Sequence, residues 1–170
     1  MADGPVIMKA GDESLKNGTT VSACLAFADK VCAAHPDTIF IFMTYYNIPF
    51  TYGVTKFIER AKAAGIEGMI VPDLPPEEGA EYLAACDKTG IAPIFRFTPT
   101  NTVERLKTLS KYGKGMAYCV GRTGVTGIKT KFDETLNALI KKYKSVTKLP
   151  IGVGFGIQSK SDVDALPPEV

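Results

Sequence analysis

The sequence predicts an α/β fold in which parallel strands alternate with helices. Short, almost continuous apolar runs recur from Thr38 onward, and segments with helical periodicity lie between them. Apolar runs with little polar alternation are typical of strands buried on both faces of a parallel sheet. Strand–loop–helix units that repeat in this way favour right-handed crossovers, in either a closed barrel or an open, doubly wound sheet.

The elements can be placed in chain order. Residues 4–35 are predicted to be helical, and Thr19 or Thr20 is suited to cap the helix that contains Leu25, Ala28, Val31 and Cys32. The predicted strands then follow as Thr38–Tyr45, Gly68–Asp73, Ala92–Phe97, Gly115–Val120 and Pro150–Phe155.

Amphipathic helices are predicted between these strands. Their inward stripes are Val54, Phe57, Ile58 and Ala61; then Val103, Leu106 and Leu109; then Phe132, Leu136, Leu139, Ile140 and Tyr143. Gly65 is expected to end the first of these helices in a left-handed conformation. Asn101 followed by Glu104 is typical of a capping box at the start of the second. Pro167 and Pro168 end the helix that begins at Ser159.

Composition excludes several classes of protein. The 20 basic and 18 acidic residues are interspersed, which does not predict a nucleic-acid surface. The single His and the absence of a C-x-x-C pair argue against zinc and against a disulfide framework. No apolar run approaches the roughly 20 residues of a membrane span, and the N-terminus has no signal-peptide pattern. We therefore expect one soluble, cytoplasmic domain over residues 1–170, with free cysteines at 24, 32, 86 and 119.

Two glycine-rich segments follow predicted strands. Gly121–Gly127 comes after the fourth strand, and Gly152–Ile157 spans the end of the fifth. Glycines at the carboxyl ends of strands let backbone N–H groups approach an anion, and in a barrel the late loops often hold phosphate. Tight turns alone would account for the same glycines. Neither segment has the G-K-[ST] ending of a P-loop.

Few titratable or aromatic side chains lie at the predicted strand ends. Asp73 ends the second strand, where it could serve as an acid or base, cap the next helix or anchor a loop. Tyr45 and Tyr118 could line an apolar pocket or pack in the core. The residues alone therefore predict a phosphate-binding α/β protein with an aromatic-lined site and do not identify a reaction.

Five motifs, in order, resemble those of the tryptophan synthase α family over nearly the whole chain. They are Ala2-Asp3-Gly4-Pro5, Met43-Thr44-Tyr45-Tyr46-Asn47, Val71-Pro72-Asp73-Leu74-Pro75-Pro76-Glu77-Glu78, Gly121-Arg122-Thr123-Gly124-Val125-Thr126-Gly127 and Gly154-Phe155-Gly156-Ile157. The resemblance implies a (β/α)₈ TIM barrel of which strands three to seven are present. A second carboxylate of the family's site, strands one and two, and strand eight would lie outside these 170 residues, so the resemblance implies an incomplete barrel that is inactive alone.

The resemblance also implies a reaction and its residues. The reaction is a retro-aldol cleavage of indole-3-glycerol phosphate to indole and glyceraldehyde 3-phosphate, in tryptophan biosynthesis. Asp3 would be the catalytic carboxylate at the indole nitrogen. The residues that match substrate-binding positions are Tyr45, Tyr118, Thr126, Gly127, Phe155 and Gly156, of which Gly127 and Gly156 match phosphate-binding backbone positions. No metal or organic cofactor is implied for this chain, because pyridoxal phosphate belongs to the partner β subunit of the α2β2 assembly.

One residue departs from the family pattern, and one alternative function stays open. Arg96 occupies a position where the family usually has an apolar residue that faces the pocket. A non-catalytic protein that keeps only the surface for the β subunit would also fit, since Asn47–Phe50 and Arg122–Gly127 match the docking loops. Other phosphate-binding barrels of indole metabolism fit less well, because their catalytic Lys or Cys–Asp sets are not found at the strand ends.

Overall fold

The computed structural model of the chain describes residues 4–120, 134–154, 159–164, 166 and 170. Two compact units are present, one formed by Ser14–Ile94 and the other by Met1–Glu13 with Phe95–Val170. In chain order the elements are α1 (Pro5–Lys16), α2 (Val21–Ala34), β1 (Phe40–Met43), α3 (Asn47–Tyr52), α4 (Val54–Ala63), β2 (Ile66–Ile70), α5 (Ala80–Thr89), β3 (Ala92–Ile94), β4 (Arg96–Phe97), α6 (Val103–Tyr112), β5 (Ala117–Val120), α7 (Glu134–Lys144), β6 (Ile151–Gly154) and α8 (Lys160–Asp164).

The unit formed by Ser14–Ile94 is a parallel sheet packed against helices. Its strand order is β1-β2-β3, and both pairings are parallel as predicted. α4 packs on α5, on α2 and on β2. The predicted stripe of α4 is confirmed, since its members are all buried: Val54, Phe57, Ile58 and Ala61.

The start of α2 and the end of α4 lie where the sequence predicts them. Thr20 is the N-cap of α2, and its hydroxyl accepts a hydrogen bond from the Ala23 N–H at 3.1 Å. Gly65 follows α4 with φ +89°, the left-handed conformation expected of it. A Cβ added at Gly65 would lie 2.7 Å from the Cβ of Cys32. Glycine at this position therefore also allows α2 to approach the turn between α4 and β2.

A buried tyrosine hydroxyl links α5 to the sheet by a hydrogen bond. Tyr82 on α5 donates a hydrogen bond from its hydroxyl to the Met69 carbonyl on β2, over 3.2 Å. Burial raises the pKa of Tyr82, so the hydroxyl stays protonated and keeps its donor role. This bond satisfies a buried polar group that would otherwise cost stability.

The second unit contains a second parallel sheet, β4-β5-β6. Phe97 on β4 packs edge-on against Tyr143 of α7, with ring centroids 5.6 Å apart. Leu136 and Ile140 of the predicted α7 stripe are buried with Tyr143, and Leu139 is half-buried. Phe132, the first member of that stripe, lies outside the described residues.

The predicted strand Ala92–Phe97 forms two short strands, so this prediction is corrected. Residues up to Ile94 pair with β2, whereas Arg96 and Phe97 pair with β5. Phe95 lies between them, and its carbonyl accepts a hydrogen bond from the Tyr118 N–H at 3.1 Å. The break therefore coincides with the residue at which the chain changes its partner strand.

The start of α6 also differs from the prediction. Thr102, not Asn101, is the N-cap, because its hydroxyl accepts from the Arg105 N–H at 3.1 Å. Asn101 instead accepts from the Thr98 N–H, at 2.9 Å. Leu106 and Leu109 are buried as expected, but Val103 is 38% exposed because it lies in the first turn, on the outer face.

The edge of β1 generates a testable prediction. Among the described strands β1 lies at the edge of its sheet; Ile41 and Met43 in it are 38% and 54% exposed, and Ile39 just before it is 75% exposed. Unpaired backbone groups beside exposed apolar side chains promote edge-to-edge association. We expect the wild-type chain to associate as its concentration rises in sedimentation velocity experiments, and the double variant Ile41→Lys, Met43→Lys to associate at least several-fold less.

The matched control changes an exposed apolar residue elsewhere. Val163 on α8 is 53% exposed, so Val163→Lys adds a charge without touching β1. This variant should associate as the wild type does. A wild type that stays monomeric at every concentration, or an equal effect of Val163→Lys, would contradict the prediction.

Candidate functional site

The structure describes two of the residues predicted for the site. Tyr45 lies in the Ser14–Ile94 unit, and Tyr118 lies in the unit that contains Phe95–Val170. The other predicted site residues lie outside the described residues, namely Asp3, Thr126, Gly127, Phe155 and Gly156. The local geometry around each tyrosine is therefore described by itself.

Tyr45 begins the loop that leaves the carboxyl end of β1. The Thr44 N–H still donates to the Ile70 carbonyl of β2 at 3.1 Å, so the sheet extends to the residue before Tyr45. The Tyr45 carbonyl then accepts from the Ile48 N–H at 3.2 Å, which starts the turn into α3. Tyr45 is half-buried. It is thus held at the carboxyl edge of the sheet, where ligands bind in parallel α/β proteins.

Asp73, in the loop after β2, is hydrogen-bonded to this loop. Its Oδ1 accepts a hydrogen bond from the Tyr46 N–H at 2.9 Å. The carboxyl ends of β1 and β2 lie side by side because the strands are parallel. From the sequence, Asp73 could be an acid or base, a helix cap or a loop anchor. The hydrogen bond to Tyr46 is a loop-anchoring contact. Asp73 does not cap α5, because that helix begins after Gly79 without a side-chain cap. Asp73 therefore positions the residue next to Tyr45.

Tyr118 lies in β5 with its ring directed over β6. A Cβ added at Gly154 would lie 2.6 Å from the Cε2 of Tyr118, and nearer still to its Cζ and hydroxyl oxygen. The backbone register pairs Tyr118 with Gly152, so the ring leans forward along β6 towards Gly154. No side chain larger than hydrogen fits at position 154 unless Tyr118 moves.

The electrostatic surroundings keep the Tyr118 phenol neutral. Burial raises the pKa of Tyr118, and the positive charge of Arg96 on β4 offsets part of that shift. Because the net shift is upward from 10.0, the hydroxyl is protonated at neutral pH and can donate a hydrogen bond.

Gly152 and Gly154 have a role that the sequence did not reveal. Both lie in β6 and have no positive φ, so neither forms a tight turn. A Cβ at Gly152 would collide with the terminal methyl of Met116, as one at Gly154 would with Tyr118. The sequence signal for this packing is a pair of glycines two residues apart, Gly152 and Gly154, opposite two large residues with the same spacing, Met116 and Tyr118. That signal can be read only once the strand register is known.

The thiols of the described residues differ in burial. Burial raises the pKa of the Cys119 thiol to about 12, so it is not a thiolate at neutral pH. Cys86 is buried as well, whereas Cys32 is half-buried and Cys24 is exposed. Within the described ranges, His, Cys, Asp and Glu side chains form no group of three suited to hold a metal ion. No described helix is long and apolar enough to cross a bilayer.

Comparison with known proteins identifies a family. A family model described as tryptophan synthase alpha chain matches residues 1–169. The tryptophan synthase alpha chain of Syntrophotalea carbinolica is 49% identical over 164 residues, which are 96% of this chain and 64% of that protein. The corresponding protein of Desulfotalea psychrophila is 50% identical over 166 residues, which are 98% of this chain and 65% of that protein. This chain therefore spans just under two thirds of the length of these relatives.

A solved structure agrees with this assignment. A chain from the tryptophan synthase a2b2 complex of Pyrococcus furiosus superposes with a TM-score of 0.88 at 31% identity. The match covers 99% of this chain and 68% of that one. With strands that are parallel and alternate with helices, the match confirms the predicted (β/α)₈-barrel fold class.

The packing of Tyr118 on Gly154 generates a test. Gly154→Ala should lower the free energy of unfolding by about 1–3 kcal/mol, the usual range for overpacking a close contact. Combining it with Tyr118→Ala should cost less than the sum of the single variants, because the colliding ring is gone. Urea denaturation of the wild type, both single variants and the double variant measures this coupling.

Gly11→Ala is the matched control for that cycle. Nothing lies within 4 Å of a Cβ added at Gly11, which is on α1. This variant should be neutral or slightly stabilising, since alanine favours helix. Strict additivity of Gly154→Ala and Tyr118→Ala would show that the ring does not occupy the space beside Gly154.

Proposed function

Because the chain belongs to the tryptophan synthase alpha chain family, we propose that it supplies part of a lyase site for indole-3-glycerol phosphate. The reaction is the cleavage of that substrate to indole and glyceraldehyde 3-phosphate in tryptophan biosynthesis. The observation that carries the proposal is the family match over residues 1–169. Since the chain spans 64% of the length of one relative, we propose that these 170 residues alone do not turn over substrate.

The proposed chemistry requires charge to move into the indole ring. Protonation of the indole at C3 makes the ring an electron sink, a base removes the proton of the glycerol hydroxyl, and the C–C bond then breaks. Asp3 is proposed to accept a hydrogen bond from the ring N–H. That bond strengthens as the ring becomes cationic, so it stabilises the transition state more than the bound substrate.

The other proposed site residues bind the substrate without taking part in bond cleavage. Tyr45, Tyr118, Thr126 and Phe155 are proposed to surround the ring and the glycerol chain. The backbone N–H groups of Gly127 and Gly156 are proposed to hold the phosphate. Two local features support this proposal: the neutral phenol of Tyr118 and the Asp73–Tyr46 hydrogen bond beside Tyr45.

No metal or organic cofactor is proposed for this chain. Pyridoxal phosphate is proposed to act in a partner β subunit, with which this chain would form an α2β2 assembly like the complex named for the Pyrococcus furiosus protein. We further propose that residues 1–170 act as one partial barrel domain and that the assembly is cytoplasmic.

α3 is proposed to contact that partner. It follows β1 directly, and it exposes two large apolar side chains, Ile48 at 38% and Phe50 at 67%. The Phe50 ring rests against Tyr46, with centroids 5.9 Å apart, so it is held in place rather than free in solvent. The same surface supports the alternative function, a non-catalytic chain that only binds the β subunit.

A chimera tests the lyase proposal. When these 170 residues replace the matched segment of the Syntrophotalea carbinolica protein, the chimera should release indole from indole-3-glycerol phosphate, while the chain alone should not. Asp3→Asn in the chimera should lower kcat/KM about 100-fold or more, the scale of losing one charge-stabilising group. Asp12→Asn, an exposed change on α1, is the control and should have no effect. A folded but inactive chimera would refute the lyase proposal and favour the non-catalytic alternative.

Binding to a β subunit tests the partner proposal. Phe50→Glu should weaken the affinity of the chain for a purified β subunit of a relative about tenfold or more, because it places a charge in the centre of an apolar contact. Isothermal titration calorimetry measures the dissociation constant. Phe27→Glu is the matched control, since Phe27 on α2 is 68% exposed and Phe50 is 67% exposed. Equal losses in both variants would exclude a specific role for α3.

A further inference from the structure

One hydrogen bond joins the chain segments that follow β1 and β2. The last register partners of the two strands are Met43 and Ile70. Tyr46 and Asp73 each lie three residues further along (46 − 43 and 73 − 70), and the Asp73 carboxylate accepts the Tyr46 N–H at 2.9 Å. All four residues belong to the Ser14–Ile94 unit. A side chain therefore links the two loops beyond the last residues that pair as strands.

The turn that carries Asp73 is itself held in place. The Leu74 N–H donates to the Val71 carbonyl at 3.3 Å, and both of these side chains are buried. Pro72 and Pro75 lie in the same turn, and each proline fixes its own φ angle. The exposed carboxylate of Asp73 thus extends towards the loop after β1 from a backbone with little freedom.

The residue that donates this bond lies between two proposed binding surfaces. Tyr45, on its amino side, is proposed to bind substrate. On its carboxyl side, the Tyr46 carbonyl accepts the Phe50 N–H at 2.9 Å in the first turn of α3, and the Phe50 ring packs on Tyr46. A displacement of Tyr46 would therefore move both Tyr45 and Phe50.

We propose that Asp73 is a positioning residue for both surfaces, so that one acceptor oxygen sets the affinity for substrate and the affinity for the partner subunit. The inference rests on the proposed function, because it takes Tyr45 as a substrate-binding residue and Phe50 as a partner contact. It goes beyond that function because it makes two surfaces depend on a residue that belongs to neither. Without the bond, the loop has to be ordered when a ligand binds, and that ordering lowers the affinity.

The proposal assigns the effect to an acceptor oxygen rather than to the size of the side chain. The donor is a backbone N–H, which can donate to a carboxylate or to a side-chain amide oxygen. Asp73→Asn keeps such an oxygen, whereas Asp73→Leu has a similar shape and no acceptor. Because Asp73 is exposed, neither substitution alters the core.

Ligand binding to the full chain tests the substrate surface. The probe is indole-3-propanol phosphate, which has the ring and the phosphate of the proposed substrate but lacks the hydroxyl group that cleavage requires. The chain contains no Trp, so indole emission reports on the ligand alone. Asp73→Leu should weaken binding about tenfold, the scale of one hydrogen bond to a charged group, and Asp73→Asn should stay within about threefold of the wild type. When Tyr45→Ala is already present, Asp73→Leu should weaken binding by less than about twofold, because it acts through Tyr45.

Calorimetric titration of the full chain with a purified β subunit of a relative tests the partner surface. Asp73→Leu should again weaken binding about tenfold, and Asp73→Asn should again stay within about threefold of the wild type. When Phe50→Glu is already present, Asp73→Leu should add less than about twofold, because the contact that it positions is already lost. A residue that only stabilised the fold would weaken binding equally with and without Phe50→Glu.

Asp37→Leu is the matched control. Asp37 is an exposed carboxylate of the same unit, and it precedes β1 at the opposite end of that strand. This variant should leave both affinities within about twofold of the wild type. The proposal would be overturned by an Asp73→Leu variant that binds either ligand as the wild type does, or by an equal loss in Asp73→Asn or Asp37→Leu. A wild-type chain that does not bind both ligands would also overturn it.

This outcome is distinguishable from that of the lyase proposal. Indole release by the chimera tests the reaction, whereas the affinities of the Asp73 variants test the positioning role. An active chimera together with unchanged affinities refutes only the role of Asp73. An inactive chimera together with the expected losses of affinity refutes only the reaction.

Discussion

The pleat of the parallel strands decides which side chains of this chain are available for chemistry. On β4 and β5 neighbouring residues point in opposite directions, so Phe97 and Cys119 enter the core while Arg96 and Tyr118 face away from it. A register shift of one residue would exchange the two sets and bury a guanidinium beside Tyr143. Burying a charged group without a partner costs several kcal/mol, which is a large fraction of the stability of a small domain. Core and site are therefore specified together.

Much of the fold follows from periodicity, and the exceptions arise from contacts distant in sequence. The α4 stripe was predictable because its apolar positions recur at helical spacing and nothing competes with that pattern. Asn101 is a good capping residue, but it bonds to Thr98 and leaves the cap to Thr102. The break at Phe95 depends on which strand each neighbour pairs with, and no local pattern encodes that choice.

The candidate site was predictable as a set of residues and not as a set of contacts. The motifs identified Tyr45 and Tyr118, yet the contact of Tyr118 with Gly154 joins positions 36 residues apart in sequence (154 − 118). This contact depends on how the Tyr118 ring is oriented along β6. It can be recognised only when the register of β5 and β6 is known. Glycine-rich segments near strand ends were interpreted as anion sites or tight turns. At Gly152 and Gly154 the structure adds a further role, because the absence of a side chain leaves space for Met116 and Tyr118.

The hydrogen bond between Asp73 and Tyr46 has an evolutionary consequence. It spans 27 residues of sequence and fastens the loop after β1 to the loop after β2. An insertion or deletion in either loop would strain or break this hydrogen bond, and a residue at position 73 without a side-chain acceptor would remove it. Changes in one of these loops therefore require matching changes in the other. Among descendants of this sequence, the lengths of these two loops should vary less than the lengths of loops that are held only by packing.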